Sequence, residues 1–316
     1  MPQKARESIL KTLSQATRVI FGQDDLLKSI MAALVCEGHV LVEGLPGLGK
    51  TMSIRAISKL CSLHFQRIQF TPDLLPSDLI GTMIYNQAKE EFSTKFGPIF
   101  TQLLLADEIN RSPAKVQSAL LEAMAEKQVT IGDKTHPLTS PFVVLATQNP
   151  IEQEGTYQLP EAQMDRFMMK VYVDYPDINS EKEILDLSKD PIGELAPLLS
   201  KELLFQVQEH VEKVYVDEKI KDYIVRLVNG TRPGTPFFLK EFEGAVVSGA
   251  SPRASLWLYR VSKFKAFMDG KEFVSPENVI SIAQDILAHR IILSYEATVD
   301  KVSGRSIVLK IANELV

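Results

Sequence analysis

Short apolar runs of strand length alternate with longer segments of helical spacing up to about residue 175. A short continuous apolar run is typical of a strand buried on both faces, and its alternation with helices predicts a parallel sheet covered on both sides. The first part of the chain is therefore predicted to be an α/β domain. Its predicted strands are His39–Glu43, Phe65–Phe70, Thr101–Ala106, Phe142–Thr147 and Met168–Val173.

Strand signals largely stop after Tyr175-Pro176-Asp177, and the rest of the chain has helical patterns. Ser251-Pro252 and Ser275-Pro276 each place a hydroxyl N-cap before a first-turn proline, and Gly270 closes the first of these helices. We therefore predict an α/β domain over residues 1–178 and a helical domain over residues 179–316. The predicted helices are Lys201–Val214, Asp217–Val228, Pro252–Met268 and Pro276–Arg290.

Two segments interrupt the α/β rhythm. Residues 82–96 hold two strand-like stretches around a polar centre, and residues 128–138 hold two more around Gly132-Asp133. Each pattern predicts an inserted β-hairpin. Ordinary surface loops are the alternative.

A glycine-rich segment directly follows the first predicted strand and precedes a predicted helix, Met52–Leu60. It matches G-x-x-x-x-G-K-[ST] in full. In such a loop, backbone N–H groups and the helix N-terminus form a concave phosphate site, Lys50 reaches the β- and γ-phosphates, and Thr51 ligates Mg²⁺. The pattern predicts ATP and Mg²⁺ as cofactors. The predicted binding residues are Gly44, Leu45, Pro46, Gly47, Leu48, Gly49, Lys50, Thr51 and Met52.

Two carboxylates, Asp107 and Glu108, end the third predicted strand. Asp107 can hold Mg²⁺ through its water shell, and Glu108 can act on an attacking water as general base. The fourth strand ends near Asn149, which can polarise the same water; a plain Asn-Pro turn with Pro150 is the alternative. An apolar strand ending in Asp-Glu is weak evidence alone, but it gains specificity downstream of a complete phosphate loop.

The chain has 316 residues, a formal net charge of −5 and two cysteines, Cys36 and Cys61. The length suits two domains, and the missing basic excess argues against a nucleic-acid or anionic-membrane binder. Two cysteines within apolar or helix-like stretches favour reduced thiols. The N-terminal residues lack the apolar segment of a signal peptide, and no run approaches the roughly 18 apolar residues that span a bilayer. We therefore expect a cytoplasmic protein without membrane insertion.

Several motifs together resemble those of the MoxR group of AAA+ ATPases, and the resemblance extends from about Phe21 to Ala297. No catalytic position of the group is missing. The residues that carry the resemblance are Gly44–Thr51, Ala106–Lys115, Ala146–Pro150, Glu152–Tyr157, Leu159–Phe167 and Ser251–Ser255.

This resemblance implies a P-loop AAA+ core whose five-stranded parallel sheet has the order 5-1-4-3-2, followed by an all-α lid domain. The two hairpins then correspond to the helix-2 insert and the pre-sensor-one insert. The resemblance also implies a ring, usually a homo-hexamer, with ATP bound at subunit junctions.

The same resemblance assigns roles to polar residues outside the phosphate loop. Asn149 is similar to sensor one, Arg253 to sensor two, and Arg166 to the arginine finger given to a neighbouring subunit, while Arg111 is a weaker candidate for the junction. An arginine at a helix end is often only a solvated or dipole-paired charge, and that alternative applies to each arginine. The segment 19–23 resembles the adenine-side segment of the family, although its apolar residues are equally compatible with plain core.

The activity implied by the resemblance is Mg²⁺-dependent ATP hydrolysis that drives chaperone-like remodelling or maturation of a partner protein complex. It also implies a separate partner protein that carries a von Willebrand factor A domain. A DNA-translocating motor and a metal-chelatase motor subunit are the alternatives, because related rings share most of these motifs. The acidic charge balance and the lack of a basic-aromatic patch argue against the DNA motor.

Overall fold

The computed structural model describes residues 2–87, 90–150 and 157–315. They form two compact units. The α/β unit comprises residues 11–166 and 171–201, and the helical unit comprises residues 1–10, 167–170 and 202–316.

The elements are numbered in chain order. The strands are β1 (Val40–Gly44), β2 (Phe65–Gln69), β3 (Gly81–Asn86), β4 (Glu91–Phe96), β5 (Leu103–Asp107), β6 (Gln128–Ile131), β7 (Lys134–Pro137), β8 (Val143–Gln148), β9 (Met169–Val173), β10 (Val246–Ser248) and β11 (Ile292–Leu293). The helices are α1 (Pro2–Ala16), α2 (Asp24–Cys36), α3 (Lys50–Leu60), α4 (Pro76–Ile80), α5 (Ala114–Glu126), α6 (Glu161–Met164), α7 (Ile178–Leu185), α8 (Lys201–Glu212), α9 (Glu218–Gly230), α10 (Pro252–Met268), α11 (Pro276–Leu287), α12 (Tyr295–Val299) and α13 (Gly304–Glu314). Short 3₁₀ turns occur at Ile109–Arg111, Lys240–Phe242 and Ala288–Arg290.

A five-stranded sheet in the order β2-β5-β8-β1-β9 forms the centre of the α/β unit. Its strands are parallel. Numbered by their succession in the chain, these strands read 2-3-4-1-5 from one edge, which is the implied order 5-1-4-3-2 read from the other. The three middle strands are almost wholly buried, as expected of a parallel sheet covered on both faces. This order brings the carboxyl ends of β1, β5 and β8 side by side.

The two predicted hairpins are present and are not ordinary loops. β3 pairs antiparallel with β4, and β6 pairs antiparallel with β7. Residues 88 and 89, which fall between β3 and β4 in the sequence, lie outside the described residues. The hairpins contact each other, because the ring of Phe96 in β4 meets that of His136 in β7 at 5.0 Å, and Met83 in β3 lies over Gly132 in the β6–β7 turn.

The helical unit is built mainly from α8 to α13, and α10 has the predicted bounds. Ser251 caps α10 by accepting a hydrogen bond from the backbone N–H of Arg253 at 3.2 Å, which is the predicted start signal. The unit also contains a short antiparallel pair, β10 with β11, which the sequence patterns did not indicate in a lid predicted to be all helical.

The division between the units differs from the boundary predicted after residue 178, because residues 171–201 pack with the α/β unit. The backbone N–H groups of Leu198 and Leu199 donate to the carbonyl of Leu60 at 2.8 and 3.0 Å. Lys59 Nζ also donates to the carbonyl of Gly193 at 2.6 Å. These bonds fasten the segment after α7 to the end of α3.

Among the residues that the structure describes, no helix combines the length and apolar character that a membrane crossing requires.

Candidate functional site

The glycine-rich loop connects β1 to α3, and its backbone conformation explains its glycines. Gly47 and Gly49 have φ angles of 85° and 76°, which side chains with a Cβ rarely adopt. A Cβ built at either position would meet no atom within 4 Å, so the requirement is conformational and not steric. Because α3 begins at Lys50, its first backbone N–H groups have no helical partner and are directed toward the loop.

Lys50 lies within this loop, half-buried. Its Nζ donates to the carbonyl of Gly44 at 2.6 Å, which curls the side chain back over the loop. Burial lowers the pKa of Lys50, while the negative charges of Asp107 and Glu108 oppose that shift. The cation and the two carboxylates therefore act on one another in a single site.

Asp107 and Glu108 stand at the carboxyl end of β5, next to Thr147 of β8. The Thr147 hydroxyl donates to Asp107 Oδ1 at 2.6 Å and accepts from the Glu108 backbone N–H at 2.8 Å. Glu108 has φ 56° and ψ 51°, a left-handed conformation that costs a non-glycine residue roughly 1–2 kcal/mol. The bond to Thr147 helps to hold this strained backbone in place.

Two residues of β2, Arg67 and Gln69, reach the same carboxylates. Arg67 Nη2 and Nε donate to Asp107 Oδ2 at 2.6 and 3.1 Å. Gln69 Nε2 donates to Glu108 Oε2 at 2.8 Å, and Arg111 Nη1 donates to the same oxygen at 2.9 Å. Sequence reasoning missed Arg67 and Gln69, although polar residues two apart in the predicted strand Phe65–Phe70 signal one polar face of a strand.

Apart from Thr147 and Arg111, these side chains line one pocket of about 340 Å³, a size typical of small-molecule sites. It brings together most of the predicted binding and catalytic residues, including the buried Asn149. Two predicted binding residues, Gly44 at the end of β1 and the following Leu45, are not among the residues that line this pocket. The lining residues are Pro46, Gly47, Gly49, Lys50, Thr51, Met52, Arg67, Gln69, Asp107, Glu108 and Asn149.

A second, apolar pocket of about 120 Å³ adjoins the first along the loop, since Gly47, Gly49 and Met52 line both. Residues 19–21 and Gln23 also line this pocket, as does Leu48 of the loop. Gln23 is held there by a bond from its Nε2 to the carbonyl of Asp174 at 3.1 Å. The segment 19–23 therefore lines a pocket next to the phosphate loop, and Val19 and Ile20 are buried as well.

The residues present fit a magnesium ion. The Thr51 hydroxyl and the Asp107 carboxylate line the same pocket and offer the hard oxygen ligands that this cation prefers. No group of three or more His, Cys, Asp or Glu side chains poised for a metal occurs within residues 2–87, 90–150 and 157–315.

Arg166 does not line the phosphate pocket of its own chain. It follows α6, and its Nη1 donates to the carbonyl of Leu121 in α5 at 2.7 Å. It lines a separate groove of about 560 Å³, which also contains Glu122, Glu126 and Gln128.

Arg253 lies in the helical unit, exposed at the start of α10. Arg111 pairs with Glu108 beside the phosphate pocket. Residues 152–156, which contribute to the motif resemblance, lie outside the described residues.

The fold, together with the phosphate loop and the two adjacent carboxylates, defines the chain as a P-loop ATPase of the AAA+ class. Two family models match the chain. The model of the ATPase family associated with various cellular activities (AAA) matches residues 39–169, and that of the AAA lid domain matches residues 242–311.

Individual relatives identify the family within this class. The chain is 44% identical to Chaperone MoxR1 of Mycobacterium tuberculosis, covering 95% of this chain and 80% of that protein. It is 26% identical to protein MoxR of Methylorubrum extorquens, covering 91% and 88%. A crystal structure from Cytophaga hutchinsonii, described provisionally as an ATPase, is 47% identical and superposes with a TM-score of 0.93, covering 99% of this chain and 95% of that one. The chain belongs to the MoxR family of AAA+ ATPases.

Proposed function

We propose that this protein hydrolyses ATP with Mg²⁺ at subunit junctions of a ring and uses the cycle to remodel a partner protein complex. The proposal depends above all on one observation: Lys50, Thr51, Asp107, Glu108 and Asn149 come from three separate parts of the sequence and line one pocket.

Each side chain then has a defined task. The N–H groups of the loop and Lys50 bind the phosphates, and the neighbouring apolar pocket takes the adenine. Thr51 and Asp107 hold the metal, directly or through water, and the bound metal neutralises charge on the β- and γ-phosphates. Glu108 accepts a proton from the attacking water, and Asn149 orients that water.

Arg166 completes the site of a neighbouring subunit in this proposal, because in its own chain it lies in a different groove from Lys50 and Asp107. A fixed positive charge beside the γ-phosphoryl oxygens stabilises the charge that develops there. Arg253 is assigned the second sensing role. A homo-hexamer is the assembly that the family resemblance favours.

The remodelling role is supported by the relative named Chaperone MoxR1. The resemblance further favours a separate partner that carries a von Willebrand factor A domain, and a cytoplasmic location. The two hairpins present exposed aromatic residues, among them Tyr85 and Phe92, and have no catalytic task of their own. The DNA-motor and chelatase alternatives gain no specific support from the described residues.

Two substitutions test the ATPase site. Lys50→Ala should weaken ATP binding, since the phosphates lose their principal cation, whereas Glu108→Gln should bind ATP and hydrolyse it slowly, since an amide cannot accept the proton. Equilibrium binding of a fluorescent ATP analogue and phosphate release measure the two effects. Lys28→Ala removes an exposed lysine on α2 and serves as the charge-matched control.

The Glu108→Gln protein also tests the partner. Loaded with ATP, it should capture a von Willebrand factor A domain protein more strongly than the nucleotide-free form does.

Two outcomes would contradict these proposals. Unchanged ATP affinity in Lys50→Ala removes the phosphate-loop assignment. Capture of DNA without such a protein replaces the remodelling role with the DNA-motor role.

A further inference from the structure

The carboxylate of Asp107 is held by protein donors on both of its oxygens. Arg67 donates to Oδ2 through Nη2 at 2.6 Å and through Nε at 3.1 Å. A carboxylate oxygen has two lone-pair sites, so this fork fills Oδ2. The Thr147 hydroxyl donates to Oδ1 at 2.6 Å. The arginine therefore occupies the oxygen through which Asp107 would otherwise face a cation or its water shell.

The two partners differ in their freedom to move. Arg67 belongs to β2, one of the two edge strands of the sheet, and its side chain is 49% exposed against 14% for Asp107. Its Nη2 also donates to Gln69 Oε1 at 2.9 Å, which sets the plane of the guanidinium. The guanidinium can swing into solvent at little desolvation cost, whereas Asp107 is fixed by its strand and by Thr147.

We propose that Arg67 is a positioning residue that competes with Mg²⁺ for Asp107. This inference rests on the proposed Mg²⁺-nucleotide site. A guanidinium and a divalent cation stabilise the same negative charge, so the fork raises the Mg²⁺ concentration at which the site fills. When no metal is bound, the Arg67 guanidinium compensates the charge of Asp107. The phosphates of a nucleotide then do not meet an uncompensated carboxylate.

The test measures metal loading and not turnover. Binding of a fluorescent ADP analogue is titrated with Mg²⁺, and Mn²⁺ bound in the presence of ADP is counted by electron paramagnetic resonance. Arg67→Gln should lower the Mg²⁺ midpoint by about twofold to fivefold, the upper part of the range expected for a half-exposed ion pair. The same variant should bind ADP more weakly than wild type in EDTA, because Asp107 is then left without its cation.

Two further variants make the result specific. Arg55→Gln removes an equal charge from an exposed position on α3 and should leave the Mg²⁺ midpoint unchanged. Arg67→Lys keeps the charge but offers no planar fork, so its midpoint should lie between those of wild type and Arg67→Gln. It also provides a readout if Arg67→Gln fails to fold, as judged by thermal denaturation.

An unchanged midpoint in both Arg67 variants, or a higher one, overturns the inference; a higher one means that Arg67 orients Asp107 toward the metal. In either case ADP binding by the wild type leaves the proposed ATPase function intact. If the wild type binds no ADP at any Mg²⁺ concentration, the proposed function fails, and this inference fails with it.

Discussion

Thr147 joins the two carboxylate residues of the site through one buried hydroxyl. It donates to Asp107 and accepts from the backbone of Glu108, whose left-handed conformation it helps to maintain. The proposed general base and the proposed metal ligand therefore share one support on the neighbouring strand. Loss of this hydroxyl should change the orientation of both residues.

Thr147→Val keeps the shape of the side chain but leaves the Glu108 N–H and Asp107 Oδ1 without this partner. We expect a loss of about 1–3 kcal/mol in the free energy of unfolding, the usual cost of a buried unpaired polar group. ATP hydrolysis should fall by about tenfold or more, while ATP binding changes little. Urea denaturation and phosphate release measure these effects. Thr147→Ser retains the hydroxyl and should behave nearly as wild type; a fully active Thr147→Val would show that the bridge is dispensable.

The sequence predicts some of these residues and not others, for a physical reason. Lys50 and Asp107 belong to short sequence patterns, and the local backbone of each pattern places the side chain where its chemistry is needed. Arg67 and Thr147 act across strands, and each meets Asp107 through a sequence separation of 40 residues. Their partners depend on which strands are neighbours in the sheet, and no local pattern encodes that order.

At the scale of elements, His39 ties the start of β1 to β8 and α5. Its Nδ1 accepts from the backbone N–H of Val144 at 3.1 Å, and its Nε2 lies 3.3 Å from the carbonyl of Met124. This pattern requires the neutral ring with the proton on Nε2. Burial is the main reason that the pKa of His39 is lowered to about 4.

The stability of the fold should therefore depend on pH below neutrality. In the unfolded chain a histidine has a pKa near 6.5, so between about pH 6.5 and 4 the unfolded state binds more protons and stability falls as pH falls. From pH 7 to 5, His39 should contribute a loss of about 2 kcal/mol. Urea denaturation at both pH values should show a smaller loss in His39→Gln than in wild type.

The matched control is His64→Gln, at an exposed position, which should keep the wild-type pH dependence. His289 in the helical unit is half-buried, and desolvation likewise lowers its pKa. The difference in pH dependence between His39→Gln and wild type therefore isolates the contribution of His39 better than the pH dependence of the wild type alone. An identical slope in His39→Gln and wild type would mean that His39 does not titrate in this way.

Elements with a strong local pattern were predicted well, and those fixed by distant contacts were not. The apolar runs located all five strands of the central sheet, and the proline and serine signals located α10 and α11. The pair β10–β11 was missed, because two or three residues are too few to show a period. The division near residue 201 was also missed, since the bonds of Leu198 and Leu199 to Leu60 leave no compositional signal.

At the scale of the whole molecule, the proposal for Arg166 predicts complementation between damaged subunits. Arg166→Ala should bind ATP nearly normally but hydrolyse it about 10³- to 10⁵-fold more slowly, the range known for arginine fingers. Mixing it with Lys50→Ala subunits should restore part of the activity, because some junctions then pair an intact loop with an intact finger. Phosphate release from mixed rings measures the recovery.

The mixture is informative only where rings form and subunits exchange, which light scattering and native mass spectrometry establish beforehand. Arg166→Lys controls for loss of the bond to Leu121 as opposed to loss of charge. No recovery in proven mixed rings, or full activity in a stable monomer, would exclude a finger that acts across the junction.

The separation of the Arg166 groove from the phosphate pocket has a consequence for counting active sites. On the proposed assignment, each chain carries two unlike halves, so an isolated chain has no complete site. A closed ring has as many complete sites as subunits, whereas an open arc always has one fewer and leaves one unused half at each end. Turnover per chain should therefore rise with protein concentration and reach a plateau when the last junction closes. ATP hydrolysis would then report ring closure without any structural probe.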